Sequence, residues 1–354
     1  MSLTRKILER PRLLGRVCNA LGDAQLAHLS CFNATRSVFR EAGVAMVDGA
    51  ENLRDMRDVV TALTTLKRRE PALNRAVVKL DEGASGEGNC IFDYSGAPTG
   101  SGLGSWLAAQ LPDRLQPEAA HMSYERYAAK FAERGGVVEA WIEAEEKHSP
   151  SVQLRITPRG IIETISSHDQ VLGGTTGQRY LGARFPAMED YRDAVCKSAL
   201  RIAAVLRAKG VLGRFSVDFV CVREVSAWRH YAIEINLRKG GTTHTFQTLQ
   251  YLTDGRYDAD SGLFFTPHGE ARCYFATDNL VKARYRRLTP PDLIDVAIEH
   301  NLHFDRTTQQ GVTFNLIGAL AEFGKLGIVS IARSPAEAEL LYRRTVHALD
   351  VACA

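Results

Sequence analysis

Two strand-like segments near the middle of the chain limit what it can fold into more than any other feature. Residues 214–222, RFSVDFVCV, and residues 230–237, HYAIEINL, alternate apolar and polar side chains and are joined by a short connection through Val225 to Trp228. Because successive strand side chains point to opposite sides, this spacing predicts an antiparallel hairpin with two unlike faces. Val217, Phe219, Ile233 and Ile235 make the apolar face. Glu234, Asn236 and Arg238 share the other, and Asp218 can face them from the neighbouring strand. Three oxygen-bearing side chains then converge beside one cation. Hard oxygen donors without His or Cys suit Mg²⁺, which is usually shared with phosphate oxygens. Any one of these residues alone reads equally well as half of an ordinary cross-strand polar pair. Grouped acids backed by an apolar face, however, need a counterion.

A second constellation lies upstream. Residues 75–80 read as a strand that ends near Lys79, and residues 89–92 read as another; between them runs Gly83-Ala84-Ser85-Gly86-Glu87-Gly88. A mobile loop whose backbone N–H groups close over phosphates, beside a lysine, would neutralise nucleotide charge. The lysine precedes the loop instead of following it, so this is not a Walker A sequence, and a plain surface hairpin explains the same residues.

The rest of the pattern supplies supporting elements. Apolar positions at Met56, Val59, Val60, Leu63 and Leu66 predict an amphipathic helix over residues 52–69, with Pro71 beyond it. Residues 95–120 read as a polar connection containing Pro and Gly. Residues 137–142 and 151–156 read as strands, the second with Val152, Leu154 and Ile156 on one face and Ser151, Gln153 and Arg155 on the other. Tyr191, Val195, Ala199, Ile202 and Leu206 stripe a helix over 188–209 that Gly210 can cap. A strand at 327–331 precedes Ser334-Pro335-Ala336-Glu337, the spacing of a capping box with Pro at the first helical position.

Composition excludes several classes. The 354 residues are 45% hydrophobic and 24% charged, and 44 basic against 41 acidic residues leave a net charge of +3. This balance fits neither a disordered chain nor a nucleic-acid or membrane surface, both of which need clustered basic charge. Seven cysteines without a C-x-x-C pair make no zinc or disulfide framework, which favours a reduced, cytoplasmic setting. No nucleophile-elbow sequence supports Ser-His-Asp catalysis, and a structural hydrogen bond is the favoured role for both His168 and His244.

A lysine with a glycine loop, then the acid-bearing strand VVEAWIEAEE, then an Asp and Glu-x-Asn hairpin resemble, in that order, the ATP-grasp superfamily. The segments HDQVLGG, LGRFSVDFV and YAIEINLRKGGTTHTF are similar to those of its pheganomycin-type peptide ligases, and the resemblance runs over residues 37–354. It implies an α+β fold in which two α+β subdomains grip ATP. Residues 1–43 would be a shortened N-terminal segment, 44–136 the subdomain with the glycine loop, 137–255 the subdomain with the metal hairpin, and 256–354 a small C-terminal α/β unit. It also implies roles. Lys79, with Ser85 and Gly86 of the loop, would hold the phosphates; Glu139 would accept from the adenine amino group, and the backbone near Ile142 would meet the ring edge. Glu146, or its neighbour Glu145, would bind the ribose, while Asp218, Glu234 and Asn236 would bind Mg²⁺. Arg238 would stabilise an acyl phosphate and the oxyanion formed from it. In such enzymes a basic residue stands ten positions before an AGV-like turn; here that position is Phe32, with Arg36 one helical turn away. The implied reaction joins a carboxylate to an amine at the expense of ATP; the alternatives are a non-catalytic nucleotide-binding relative with an incomplete substrate site and a carboxylase-like enzyme of the same superfamily. A homodimer is compatible with the resemblance, since related folds often dimerise.

Overall fold

The computed structural model describes residues 26–81, 88–118, 122–174 and 177–353. The glycine-loop residues Ser85 and Gly86 lie outside the described residues, as does most of the N-terminal segment. A 3-10 turn (Ala27–Ser30) leads into α1 (Phe32–Glu41), whose residues Val38 and Phe39 are 1% exposed. The chain then runs along the edge of the later hairpin, where Ala232 donates its N–H to the Ala45 carbonyl, before entering the first sheet.

That sheet is built from β1 (Gly49–Leu53), β2 (Arg75–Leu80), β3 (Asn89–Asp93), β4 (Gln116–Pro117) and β5 (Gly136–Ala140), in the order β1-β5-β2-β3-β4. Its strand pairs are all antiparallel. Helices α2 (Met56–Arg69), α3 (Leu103–Arg114) and α4 (Tyr124–Arg134) share one apolar cluster with it. The expected helix over 52–69 begins later, because Asp55 caps it by accepting from the Arg57 and Asp58 N–H groups. Alternation divides the sheet cleanly: Ala76, Val78 and Leu80 of β2 and Val138 of β5 join the helices, leaving Val77, Lys79 and Glu139 on the opposite face.

Nine of the remaining strands make a second sheet. They are β6 (Lys147–His148), β7 (Pro150–Ile156), β8 (Ile162–Gly173), β9 (Arg179–Phe185), β10 (Gly213–Arg223), β11 (Trp228–Asn236), β14 (Cys273–Val281), β15 (Gly311–Asn315) and β16 (Lys325–Ala332). Eight of them follow the order β11-β10-β7-β8-β9-β14-β16-β15, and β6 pairs with β10; β12 (Arg256–Asp258) and β13 (Leu263–Phe265) form a separate hairpin. Helix α5 (Glu189–Ala208) buries the expected stripe Tyr191, Val195, Ala199, Ile202 and Leu206 against β7, β10 and β11. Helices α6 (Gly241–Thr253), α7 (Pro290–Glu299), α8 (Leu320–Phe323) and α9 (Pro335–Ala352) complete the chain. Ser334 caps α9 by accepting from the Glu337 N–H.

Three expectations need correction. The division placed between residues 136 and 137 cuts through β5, which hydrogen-bonds to β1 and β2 and so belongs to the first sheet. The unit assigned to 256–354 has its own apolar cluster, but β14 pairs with β9, so its strands extend the sheet of the preceding subdomain. The stretch read as a polar connection over 95–120 contains α3 and β4. Strand β8, twelve residues long and without an expected counterpart, passes through the segment that holds His168, Asp169 and Gln170.

Candidate active site

The two sheets face each other across a cavity of about 340 Å³. Lys79 and Glu139 line it from the first sheet, Asp218, Phe219, Val220, Ile233 and Glu234 from the β10–β11 hairpin, and Trp141 and Ile142 from the segment that connects the sheets. At one side the sheets touch directly, where Asn89 on β3 donates to Gln178, just before β9, at 2.8 Å.

On the first sheet, two cations share one carboxylate. Lys79 Nζ lies 2.6 Å from Glu139 Oε2, and Arg36 Nη1 lies 2.6 Å from Glu139 Oε1. All three side chains are buried, and the Lys79 ammonium also rests 4.7 Å from the centroid of the Phe32 ring. Burial raises the Glu139 carboxyl, but Lys79 and Arg36 together outweigh it and hold the group below the usual carboxylate range. Both Glu139 oxygens are therefore engaged by cations, a state at odds with the expected contact to an adenine amino group.

On the second sheet, register places Asp218 directly opposite Glu234, and Ser216 opposite Asn236. Ser151 donates to Asp218 Oδ1 at 2.6 Å and Asn236 donates to Asp218 Oδ2 at 3.1 Å. Burial lifts both carboxyls, and the Asp218 charge further lifts Glu234, to about 7. Arg238, exposed beyond the strand end, pulls both down. Among the described residues no three His, Cys, Asp or Glu side chains gather as a metal site. The candidate donor set is thus two carboxylates and one amide. Hard oxygen donors whose negative charge is disfavoured where they stand fit a divalent cation such as Mg²⁺, which would relieve that repulsion. Ile233, expected on the apolar face, lines the cavity instead, because the register shifts between Asp218 and Phe219 and leaves an extra residue on β11.

The polar face of β7, which pairs with β10 in the same sheet, is buried beside this hairpin. Ser151 and Gln153 are each 4% exposed; Ser151 holds Asp218, and Gln153 bonds to Thr242 and Thr243 in the first turn of α6. Of the HDQ residues, His168 is fully buried, contacts the Tyr274 hydroxyl at 2.6 Å, and is pushed down to about 3 by burial, so it stays neutral. Asp169 accepts from the Met188 N–H at the start of α5 and from the Tyr191 hydroxyl. Gln170 faces the cavity and bonds to Asp218. His244 is half-buried, and burial lowers its pKa.

Several residues fall differently from expectation. Glu145 and Glu146 are exposed and, among the described residues, neither lines the cavity; Glu146 lies 3.8 Å from His148 Nε2. The Ile142 carbonyl accepts from Lys147 Nζ at 3.2 Å, and that ammonium sits 4.2 Å from the Trp141 ring centroid. Lys147, Ser151, Gln153 and Asn89 had no role in the sequence reading. Ser151 and Gln153 did carry a signal, two polar residues alternating with apolar ones in an otherwise buried strand.

Comparison with known proteins places this geometry. A family model described as IQCH-like, ATP-grasp matches residues 103–260, and one described as PGM1 C-terminal domain matches residues 292–345. The chain is 33% identical over 318 residues to an L-propargylglycine–L-glutamate ligase of Streptantibioticus cattleyicolor, a match that covers 89% of this chain. The chain spans 62% of the length of that relative. Among solved structures it is similar to an ADP complex of N5-carboxyaminoimidazole ribonucleotide synthetase, with a TM-score of 0.58 and 12% identity over 96% of this chain and 78% of that one. It is also similar to the biotin carboxylase domain of the Hydrogenobacter thermophilus 2-oxoglutarate carboxylase, solved with MgADP, ADP and bicarbonate, with a TM-score of 0.57 and 12% identity over 93% and 68% of the two chains. No helix among the described residues is long and apolar enough to cross a membrane. Two antiparallel sheets facing each other across one cavity give the chain the fold of these solved structures, and residues 103–260 resemble the ATP-grasp family whose model they match.

Proposed function

We propose that the protein is an ATP-dependent carboxylate–amine ligase that forms an amide or peptide bond and releases ADP and phosphate. The observation that carries this reading is that Lys79 and the Asp218–Glu234 pair line the same cavity from opposite sheets. A polyphosphate lying between them meets a cation on one side and, on the other, carboxylates suited to Mg²⁺. When bound at Asp218, Glu234 and Asn236, Mg²⁺ supplies positive charge that offsets the β- and γ-phosphate oxygens.

In the first step an oxygen of the substrate carboxylate attacks the γ-phosphorus, the bond to the β,γ-bridging oxygen breaks, and ADP leaves with that electron pair. Lys79 compensates charge on the transferring group. In the second step the amine nitrogen attacks the acyl carbon, and collapse of the tetrahedral intermediate expels phosphate as the amine loses its proton. Arg238, exposed two residues beyond β11, would stabilise the acyl phosphate and the oxyanion. Trp141 and Ile142 supply an apolar wall with backbone groups for the base.

The test is ADP release by the purified chain with MgATP against a panel of amino acids, offered as acid and as amine. Release that requires both an acid and an amine supports the reading. Release driven by bicarbonate with no amine would instead make it a carboxylase-type enzyme, and no release with any pair would refute ligation on this panel.

A further inference from the structure

The cationic wall of the cavity is backed by a charge that the cavity does not display. Arg36 is 4% exposed and, among the described residues, lies outside the cavity lining. Its position is fixed on every side. The start of α1 is tied to the residue that follows β2, through Phe32 N–H to the Asp81 carbonyl and Asn33 N–H to Asp81 Oδ1. Asn33 in turn accepts from the Asn52 N–H at 2.6 Å. One turn later Arg36 donates to the Val47 carbonyl, to Glu51 and to Glu139, and Arg40 holds the other Glu51 oxygen. The helix that carries Arg36 is thus anchored to the strand that carries Lys79.

We infer that Arg36 is a positioning residue that releases Lys79 for phosphate binding by acting as the standing counter-cation of Glu139. Lys79 is held against Glu139 at 2.6 Å while it lines the cavity, so Glu139 competes with a phosphate for its ammonium. A buried carboxylate left without a cation is strongly disfavoured. With Arg36 on the other oxygen, Glu139 keeps a buried partner while Lys79 turns away. Without Arg36, Glu139 has Lys79 alone, and the nucleotide must break the pair to recruit it. Arg36 cannot replace Lys79 at the phosphate, because Glu51 and the Val47 carbonyl hold its guanidinium behind Glu139.

This inference rests on the reading of Lys79 as a phosphate ligand, and the experiment separates the two. MgATP affinity is measured by calorimetry on the full chain and on Lys79→Met, Arg36→Met, Arg36→Lys, Glu139→Gln and the double variant Arg36→Met/Glu139→Gln, with circular dichroism to check the fold. Arg36→Met is expected to bind about tenfold or more weakly, and Arg36→Lys, which keeps the charge, within about threefold of wild type. Glu139→Gln frees Lys79 and should bind at least as well as wild type. The decisive arm is the double variant, whose affinity should return to that of Glu139→Gln, because no carboxylate remains to trap the lysine. If Arg36→Met binds like wild type, or the double variant stays as weak as Arg36→Met, the inference is overturned. Should Arg36→Met fail to fold, the same comparison between Arg36→Lys and Arg36→Gln decides, since only the lysine keeps the charge. Undiminished binding by Lys79→Met, or none by wild type, defeats the reading of Lys79 and the inference with it.

Discussion

Replacing Glu234 with glutamine should make the metal-free protein more stable above pH 7 and remove the magnesium dependence of nucleotide binding. Burial is the larger cause and the Asp218 charge the next; together they lift the Glu234 carboxyl from 4.5 to about 7. At ~1.4 kcal/mol for each tenfold change in a protonation equilibrium, keeping that group ionised costs about 3 kcal/mol relative to the unfolded chain. The sign follows from the folded state binding the proton more tightly. The contribution of this group is fully present below pH 4.5, declines as pH rises, and is gone once pH passes about 7. Glutamine carries no such charge, and its amide can still pair with neighbours. Denaturation in the presence of a chelator, at intervals from pH 5 to 8.5, should show the variant gaining on wild type across this window, to a limit of about 3 kcal/mol. Adding Mg²⁺ should then raise wild type more than the variant, because only wild type offers both carboxylates to the ion. Parallel pH profiles for the two proteins would refute the electrostatic argument. Equal magnesium dependence of ATP affinity would remove Glu234 from the donor set.

Two further substitutions probe separate parts of the site. Arg238→Ala should leave MgATP affinity nearly unchanged and suppress amide formation, since the side chain is exposed in the resting protein and acts on charge that develops during the reaction; single-turnover measurement of ADP and amide separates the steps, and an affinity loss like that of Lys79→Met would contradict the assignment. Gly136→Ala should destabilise the first subdomain by about 1–3 kcal/mol, because a Cβ there would run into the Lys79 carbonyl and the Phe131 ring; an unchanged melting temperature would show that β2 and α4 yield more easily than their packing suggests.

What could be read from the sequence follows a physical division. The hairpin, α2 and α5 each place one apolar stripe on a core, so their spacing alone identified them, and α9 was marked by the cap at Ser334. Helix α3 has such a stripe too, Leu103, Leu107 and Leu111, but glycines before it and Pro112 within it give the local composition of a connection. Helix α4 buries only Tyr127 and Phe131, too few positions to establish a period. Strand β8 is mixed because its residues serve different neighbours: His168 meets Tyr274, Asp169 caps α5, and Gln170 reaches Asp218. The misreadings within the site have a related cause. Periodicity says which residues share a face, but not whether that face meets water or another sheet, so Ser151 and Gln153 could be placed together without their burial being apparent. Nor does it reach loops, and Glu146, exposed in the connection between β5 and β6, has no spacing that could place it relative to the cavity. Arg36 and Glu139 are 103 residues apart, and neither carries a local mark of the other. A buried charge is stable only as part of a pair, and a pair drawn from remote segments becomes visible only when the fold has brought both halves together.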